Sequence, residues 1–341
     1  DVKCFWRRIS SEILNILMRE KEIRPKKLFK KFLNLAAQDV KKFFKSKNFK
    51  INCIACKAKG EFSFKKKDFS YCICPKCKTL YVNPRPSEQA FLNYYTKSSS
   101  IKFLANTLYK KTKEERRKKI WIPKTKIILE KLKKNNIKKC SYIDIGGGYG
   151  TFAEEMSKRK KDNIVVIEPS PFMAQECRKK KLQVIQKFLE SVEKKELPNK
   201  KKVFTCFELI EHLYNPSKFI KNMRKLMNKE DLFIFTTLSS TGVDILTLWN
   251  NSRSVNPPHH INFFNPKSIA IFLKKHGFKI VDISTPGKLD IDILENDKLF
   301  IQDRFWRAFL MFAKEKDKIK MQNLISDLNF SSHMMVTCKR Q

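Results

Sequence analysis

The chain has 341 residues, 42% hydrophobic and 31% charged, which suffices for one full core plus a smaller module and excludes disorder as its main state. Lys and Arg number 73 against 34 Asp and Glu, a formal charge of +39 whose field would draw nucleic acid or anionic lipid at low salt. No apolar run is long enough for a membrane span, no hydrophobic leader stands at the start, and ten cysteines are too few for a disulfide scaffold, so a reducing, cytoplasmic setting is expected.

The chain opens on Asp1, as expected of a processed or incomplete sequence. Only 14 of the 73 basic residues are Arg, and the lysines run along the whole chain. With Asn, Ile and Phe also abundant, a coding bias accounts for the charge before a nucleic-acid partner does.

Residues 1–50 read as a basic helical extension. Ile9, Ile13, Ile16 and Leu17 recur at helical spacing, Leu28, Phe32, Leu33 and Phe43 more loosely, and Pro25 divides the two runs. Packing on the main body is expected; peripheral contact with a membrane surface is the alternative.

Residues 51–86 change character. Cys53, Cys56, Cys74 and Cys77 form C-x2-C-x17-C-x2-C around a strand-like middle with Phe62, Phe64, Phe69 and Tyr71. Each pair sets two thiolates on one turn, and two turns complete a tetrahedral, closed zinc site that supplies stability a module of this size lacks. Cys72 is a competing thiol with the wrong spacing, while Cys4, Cys140, Cys177, Cys206 and Cys338 read as small core residues. The aromatics interleave with Lys65, Lys66 and Lys67, a pattern suited to stacking on bases, although so small a module needs some of those rings for its core. Residues 87–135 read as a helical linker interrupted by Trp121 and Pro123.

From 136 to 341 strands alternate with helices, which implies α/β architecture with a mostly parallel sheet covered by helices on both faces. Expected strands include Lys139–Ile145, Ile164–Ile167, Leu182–Ile185, Val203–Phe207, Leu232–Thr236, Phe278–Ile283 and His333–Cys338. Asn215-Pro216 and Asn265-Pro266 each open a helix, with Asn as N-cap and Pro at the first position. The second of these helices stops at Gly277, with His276 meeting its carboxyl end.

Between the first two of those strands lies Ile143-Asp144-Ile145-Gly146-Gly147-Gly148-Tyr149-Gly150, a glycine loop at the carboxyl end of a strand, where open α/β sheets bind ligands. Glu168 ends the next strand, placed to accept both hydroxyls of a ribose. The dinucleotide fingerprint would need glycine at 151, where Thr151 stands, and the phosphate-loop ending G-K-[ST] is absent. What remains is G-x-G-x-G after an acid, on Gly146, Gly148 and Gly150.

On Asp144 to Gly150, on Glu168 and on the stretch Phe204 to Leu213 (FTCFELIEHL), the chain resembles class I S-adenosylmethionine-dependent methyltransferases over roughly residues 136–341. It looks closest to a branch with an N-terminal zinc ribbon, a Tyr-Val-Asn-Pro-Arg-Pro junction (81–86) and a Pro-Pro-His-His segment (257–260), with 285–292 also similar. The resemblance implies a Rossmann-like methyltransferase sheet preceded by a small zinc-ribbon module. It implies S-adenosyl-L-methionine as cofactor, wrapped by Asp144, Gly146, Gly148 and Gly150, its ribose held by Glu168 and its methionine side lined by Phe207. Phe188, just past the third strand, or Leu189 could face the adenine.

Methyl transfer asks the protein to align acceptor, methyl and sulfur and to take up at most one proton. His212, His259 and His260 are the candidate catalytic residues, and Glu211 has an equal structural claim as support for the cofactor pocket. Adjacent His259 and His260 are poorly placed to chelate one ion and no third ligand is evident, so no metal is expected there. Asp290 and Asp292 share one face of an apparently extended stretch, as a clamp for acceptor hydroxyls or as surface charges. The resemblance suggests methylation of a small acceptor, with an oxygen in a sugar or cell-envelope intermediate as first choice. Methylation of nucleic acid or protein, and a non-catalytic zinc-ribbon binding protein, are the alternatives.

Overall fold

The computed structural model describes residues 18–45, 48–160 and 162–341. Eleven strands are numbered here in chain order: β1 Glu61–Lys66, β2 Phe69–Ile73, β3 Leu80–Val82, β4 Ser141–Ile145, β5 Ile164–Ile167, β6 Gln183–Ile185, β7 Lys202–Phe207, β8 Leu232–Leu238, β9 Asn262–Phe263, β10 Phe278–Ser284 and β11 His333–Arg340. Seven of them form one sheet in the order β10-β11-β8-β7-β4-β5-β6. All neighbours from β6 to β8 are parallel, and β11 runs antiparallel between β8 and β10. The order reverses between β4 and β7, so the carboxyl ends of those two strands open the crevice where ligands of such sheets sit.

The central strands are apolar on both faces because helices cover both. Every residue of β4, β5 and β8 is buried. One face packs Ile143, Ile145, Phe204 and Phe233 against the helix Pro216–Leu226, whose Phe219, Ile220, Met223 and Leu226 are buried. The other packs Tyr142, Val166, Val203 and Ile234 against Phe152 and Met156 of the helix Thr151–Ser157 and Ile128 and Leu132 of the helix Ile122–Lys134. The two Asn-Pro starts are N-caps: Asn215 Oδ1 accepts from Lys218 N–H at 3.1 Å and Asn265 Oδ1 from Ser268 N–H at 2.8 Å. His276 and Gly277 end the second helix, Gly277 in the left-handed conformation at φ 75°.

The cysteine-bearing segment is continuous with the body. A second sheet runs β1-β2-β3-β9, and its last strand comes from residues 262–263, far along the chain. Buried Arg85 holds this junction, donating to the carbonyls of Val82 (3.1 Å) and Tyr214 (2.6 Å) and to Asn262 Oδ1 (2.5 Å). Phe64, Phe69 and Tyr71 are buried in the core shared with Phe263, which leaves Phe62 as the exposed ring of the four.

Residues 99–134 form a nearly continuous helical run with two π-type stretches, Leu104–Tyr109 and Arg117–Trp121. Trp121 and Pro123 therefore do not interrupt it. Pro123 sits in the first turn of Ile122–Lys134, where its missing N–H costs little, and a π turn precedes it. The helix Lys26–Phe43 packs on this array through Phe29 and Phe32 against Leu108, while Val40 joins the core of Phe69 and Phe91. Asp39 on it accepts from Ser100 N–H at 2.8 Å and so caps the start of the helix Ser99–Phe103. The segment 18–45 is thus an extension laid on the body; the apolar run Ile9 to Leu17 lies outside the described residues. No helix among the described residues is long and apolar enough to cross a membrane.

Asp290 and Asp292 stand in the first turn of a helix, Asp290–Asn296, and both are buried, which replaces the extended stretch and the surface charges expected for them. Asp290 accepts from Ser331 Oγ, Ser332 N–H and Gln322 Nε2 at 2.6–2.8 Å. Asp292 accepts from Glu20 N–H at 2.7 Å and pairs with Arg19 at 3.2 Å. Both carboxylates tie elements together.

Candidate active site

The glycine loop leaves β4 and enters the helix Thr151–Ser157. Gly146, Gly148 and Gly150 all have positive φ (67°, 54° and 63°), a region costly for residues with a Cβ. Gly147 is required by space: a Cβ there would stand 2.5 Å from Val166 Cγ1 and 3.1 Å from Asp144 Oδ2. Glu168 closes the loop, its Oε2 accepting from Gly148 N–H and its Oε1 from Ser170 N–H, each at 2.9 Å. Both oxygens keep lone pairs for further donors. Asp144 is buried and accepts from Thr205 Oγ1 at 2.8 Å; burial raises its carboxyl pKa to about 7.

A cavity of about 320 Å³ runs from this loop to the histidines. Asp144, Gly146, Gly147, Gly148, Tyr149 and Met173 line one end, and Glu211, His212, His259 and His260 the other. Phe207 lies between, packed on Phe152 with ring centroids 4.6 Å apart and covered by the Lys124 ammonium at 4.6 Å. The roof comes from segments expected to be only an extension and a linker: Arg24, Phe29, Phe32, Leu108, Tyr109, Arg116 and Trp121. Tyr149, within the motif Asp144 to Gly150, lines the glycine-loop end together with Met173, which lies outside that motif. Phe188 does not line the cavity and is 56% exposed, while Leu189 beside it is buried in the core. The edge strand β6 has only three residues, and the 3-10 turn after it, Leu189–Ser191, turns Leu189 inward and leaves Phe188 to solvent.

The three histidines form one cluster, with His212 4.9 Å from both His259 and His260 between ring centroids. His212 follows β7 on the 3-10 turn Ile210–His212, and His260 sits just before β9, which docks beside that turn because Asn262 Nδ2 donates to Ile210 and Leu213 carbonyls. His212 Nδ1–H donates to His259 carbonyl at 2.8 Å and His260 Nδ1–H to Ser254 carbonyl at 2.6 Å, so each turns Nε2 toward other partners. Burial lowers the pKa of both rings, to about 3 for His260, which keeps them neutral. His259 is packed between Phe32 (5.4 Å) and Tyr95 (6.1 Å), and its Nδ1 has no hydrogen-bond partner. Glu211 is fully buried. Its Oε2 accepts from Thr237 Oγ1 at 2.9 Å, and its Oε1 has no hydrogen-bond partner. A ligand atom from each of Glu211, His212 and His260 lies within 4.8 Å of the others. His259 is not part of this group: the imidazole beside His260 is that of His212, and Glu211 is the third side chain. The signal was local only in part, because Glu211 and His212 are adjacent but His260 arrives through β9.

At the other pole, Cys53, Cys56, Cys74 and Cys77 place their sulfurs within 4.8 Å of one another, with Cys53–Cys77 at 3.5 Å and Cys56–Cys74 at 3.4 Å. A tetrahedral zinc with Zn–S bonds of ~2.3 Å separates its sulfurs by about 3.8 Å, so the set fits one ion. Both knuckles repeat one backbone device: Lys57 and Lys78 have positive φ and donate N–H to the Cys53 and Cys74 carbonyls. Cys72 stands apart from the four, its sulfur against Asn83. Residues 51–86 supply no lining residue to the cavity. The segment braces the histidine end from behind, with Tyr71 Oη donating to His260 carbonyl at 2.7 Å and Lys67 Nζ to Asn256 Oδ1 at 2.6 Å.

Among families, a model described as "Methyltransferase domain" matches residues 113–283, half of the chain. No curated protein matches. Similar solved structures include an S-adenosylmethionine-dependent methyltransferase from Clostridium acetobutylicum, at 13% identity, 74% of this chain, 97% of that chain and a TM-score of 0.41. Another is the O-methyltransferase of a trans-AT polyketide multienzyme from Brevibacillus brevis, at 14%, 68%, 76% and 0.44. A third is magnesium protoporphyrin IX methyltransferase from Synechocystis, at 12%, 64%, 83% and 0.42. With the family model spanning β4 to β10, and a glycine cradle whose space and backbone suit the cofactor, the chain belongs to the methyltransferase domain family and is an S-adenosylmethionine-dependent methyltransferase of class I fold.

Proposed function

We propose that this enzyme transfers the methyl group of S-adenosylmethionine to an oxygen of a small acceptor, of the sugar or cell-envelope-intermediate kind. The observation that carries this reading is the one cavity joining the glycine loop to a cluster of neutral imidazoles. Its volume of about 320 Å³ suits small molecules rather than a folded macromolecule. Asp144, the loop glycines and Glu168 would hold the cofactor, and Phe207 would flank its methionine side. The bound cofactor supplies an activated methyl. The chain's part is to orient the acceptor beneath the roof of Phe29, Phe32 and Tyr109, exclude water, and receive or weaken the hydroxyl proton at the His212 and His260 end. His259, wedged between Phe32 and Tyr95, would position His212 through its carbonyl. The four cysteines would hold a structural zinc, closed to substrate, that stiffens the acceptor wall.

Calorimetric titration with S-adenosylhomocysteine tests the cofactor half. Glu168→Ala should weaken binding about 30-fold, the loss of charge-assisted hydrogen bonds worth ~2 kcal/mol. Binding unchanged in Glu168→Ala, or absent from folded wild type, would sink the assignment of the cradle. Radiolabelled methyl transfer to a panel of hydroxylated small molecules then tests the acceptor half, with label appearing only on nucleic acid or protein as the contrary result.

A further inference from the structure

We infer that Glu211, His212 and His260 form a binding site for one divalent first-row transition ion in the acceptor half of the cavity, an inference that rests on the methyltransferase reading above. Three observations converge. The first is the donor set: two imidazoles and one carboxylate with ligand atoms within 4.8 Å of one another, on the wall of a cavity. An ion with ligand bonds of about 2.1 Å spans donors up to ~4.2 Å apart, so the set needs only slight closure. The second is the orientation of the rings. Each Nδ1–H is tied to a backbone carbonyl, His212 to His259 and His260 to Ser254, which is how metal-binding histidines are fixed with Nε2 as the ligand atom. The third is Glu211 itself, fully buried, with Oε1 lacking a hydrogen-bond partner.

The arginines at this end do not preclude a cation. Arg24 lies 3.5 Å from Glu20, and Arg253 pairs with Glu20 at 2.8 Å and Asp297 at 2.7 Å, so their charges are already met. Two imidazoles and a carboxylate leave positions open on the cavity side, and oxygen ligands suit them. The acceptor class this selects carries oxygens on neighbouring carbons, such as a vicinal diol, bound through both. A hydroxyl held there loses its proton to solvent more readily. Its oxygen then bonds to the methyl carbon, the carbon–sulfur bond breaks with its electron pair passing to sulfur, and S-adenosylhomocysteine leaves. In this form of the site His212 and His260 are ligands, and neither serves as a free base.

The test uses the 341-residue chain loaded with one equivalent of zinc, which the four thiolates take first, and Mn2+ as probe, read by the loss of the free-ion electron paramagnetic resonance signal. Wild type should bind one Mn2+ per chain. Glu211→Gln and His260→Ala should each weaken that binding at least tenfold while still binding S-adenosylhomocysteine, which serves as the check on folding. Should Glu211→Gln fail that check, His260→Ala and His212→Ala carry the comparison. Wild type that binds S-adenosylhomocysteine but no Mn2+, or variants that bind Mn2+ as wild type does, would overturn the cation site and leave the methyltransferase reading intact. Failure of S-adenosylhomocysteine binding in wild type would instead strike the reading on which the site rests.

Discussion

At the scale of single residues, Asp144 carries the clearest consequence for pH. Burial lifts its carboxyl pKa to about 7, partly offset by the Thr205 hydroxyl and reinforced by the Glu168 charge. Its folded value lies above the ordinary carboxylate range, so the stability it contributes is present at low pH and fades as pH rises from that range through about 7. A cofactor bearing an ammonium at its methionine end favours the ionised form, so binding below pH 7 must expel a proton. Affinity for S-adenosylhomocysteine should rise up to about pH 7 and then level. Titrations at pH 6 in two buffers of different ionisation enthalpy should differ by nearly one released proton in wild type and by none in Asp144→Asn. Identical proton release in the two proteins would place the titrating group elsewhere. The residues behind this prediction were legible in the sequence, since Asp144, the glycines and Glu168 sit on two consecutive strands and their turns. Phe188 was not, because a position three residues past an edge strand does not declare which way it faces. The His212–His260 pair was not either, because its partners lie 48 positions apart and meet only through β9.

At the scale of elements, the cysteine segment and β9 form one mechanical unit. β3 pairs with β9, Tyr71 holds the His260 carbonyl, and Arg85 locks the junction to the turn after β7. Loss of a knuckle should therefore be felt more at the histidine wall, which is hydrogen-bonded to the cysteine segment, than at the glycine loop after β4. Cys74→Ser should bind less than one zinc per chain at the cysteine site. Its apparent Tm should fall by on the order of 10 °C, the scale of a few kcal/mol in a domain of this size. S-adenosylhomocysteine affinity should change by less than about threefold, while the KM for any acceptor rises. Co2+-loaded Cys74→Ser whose thiolate-to-metal absorption matches that of wild type would refute the four-thiolate site. The C-x2-C pairs were readable because their geometry is local, each knuckle closing on its own left-handed lysine. That the ribbon's fourth strand comes from residues 262–263 was not, since a two-residue strand has no periodicity to read. The same limit hid the roof: Leu28, Phe32, Leu33 and Phe43 read as the apolar face of a basic helix, and periodicity shows that a face is buried without naming what it covers, while Arg24 and Phe29 carried no signal of their own.

At the scale of the whole molecule, the charge of +39 invites a polyanion, yet among the described residues no row of exposed aromatics accompanies the lysines of residues 51–86. Stacking on bases needs exposed aromatics beside the lysines, and of Phe62, Phe64, Phe69 and Tyr71 only Phe62 stands out of the core. The lysines are spread through every segment, and several are spent internally, as Lys202 on Asp231 at 3.3 Å, Lys318 on Glu295 at 2.7 Å and Lys131 on Asp282. A diffuse field of this kind attracts nucleic acid by counterion release alone, with no favoured sequence or site. Fluorescence anisotropy with a single-stranded oligonucleotide should accordingly show binding at 50 mM salt that weakens by about a thousandfold by 200 mM. Reversing any one ribbon lysine, Lys65→Glu for example, should shift affinity by less than about threefold, because no single contact dominates. Binding that survives 200 mM salt, or that Lys65→Glu abolishes, would mark a built interface on the ribbon. The acceptor would then have to be sought among nucleic acids, with the ribbon presenting the strand and the cavity admitting only the nucleotide to be methylated.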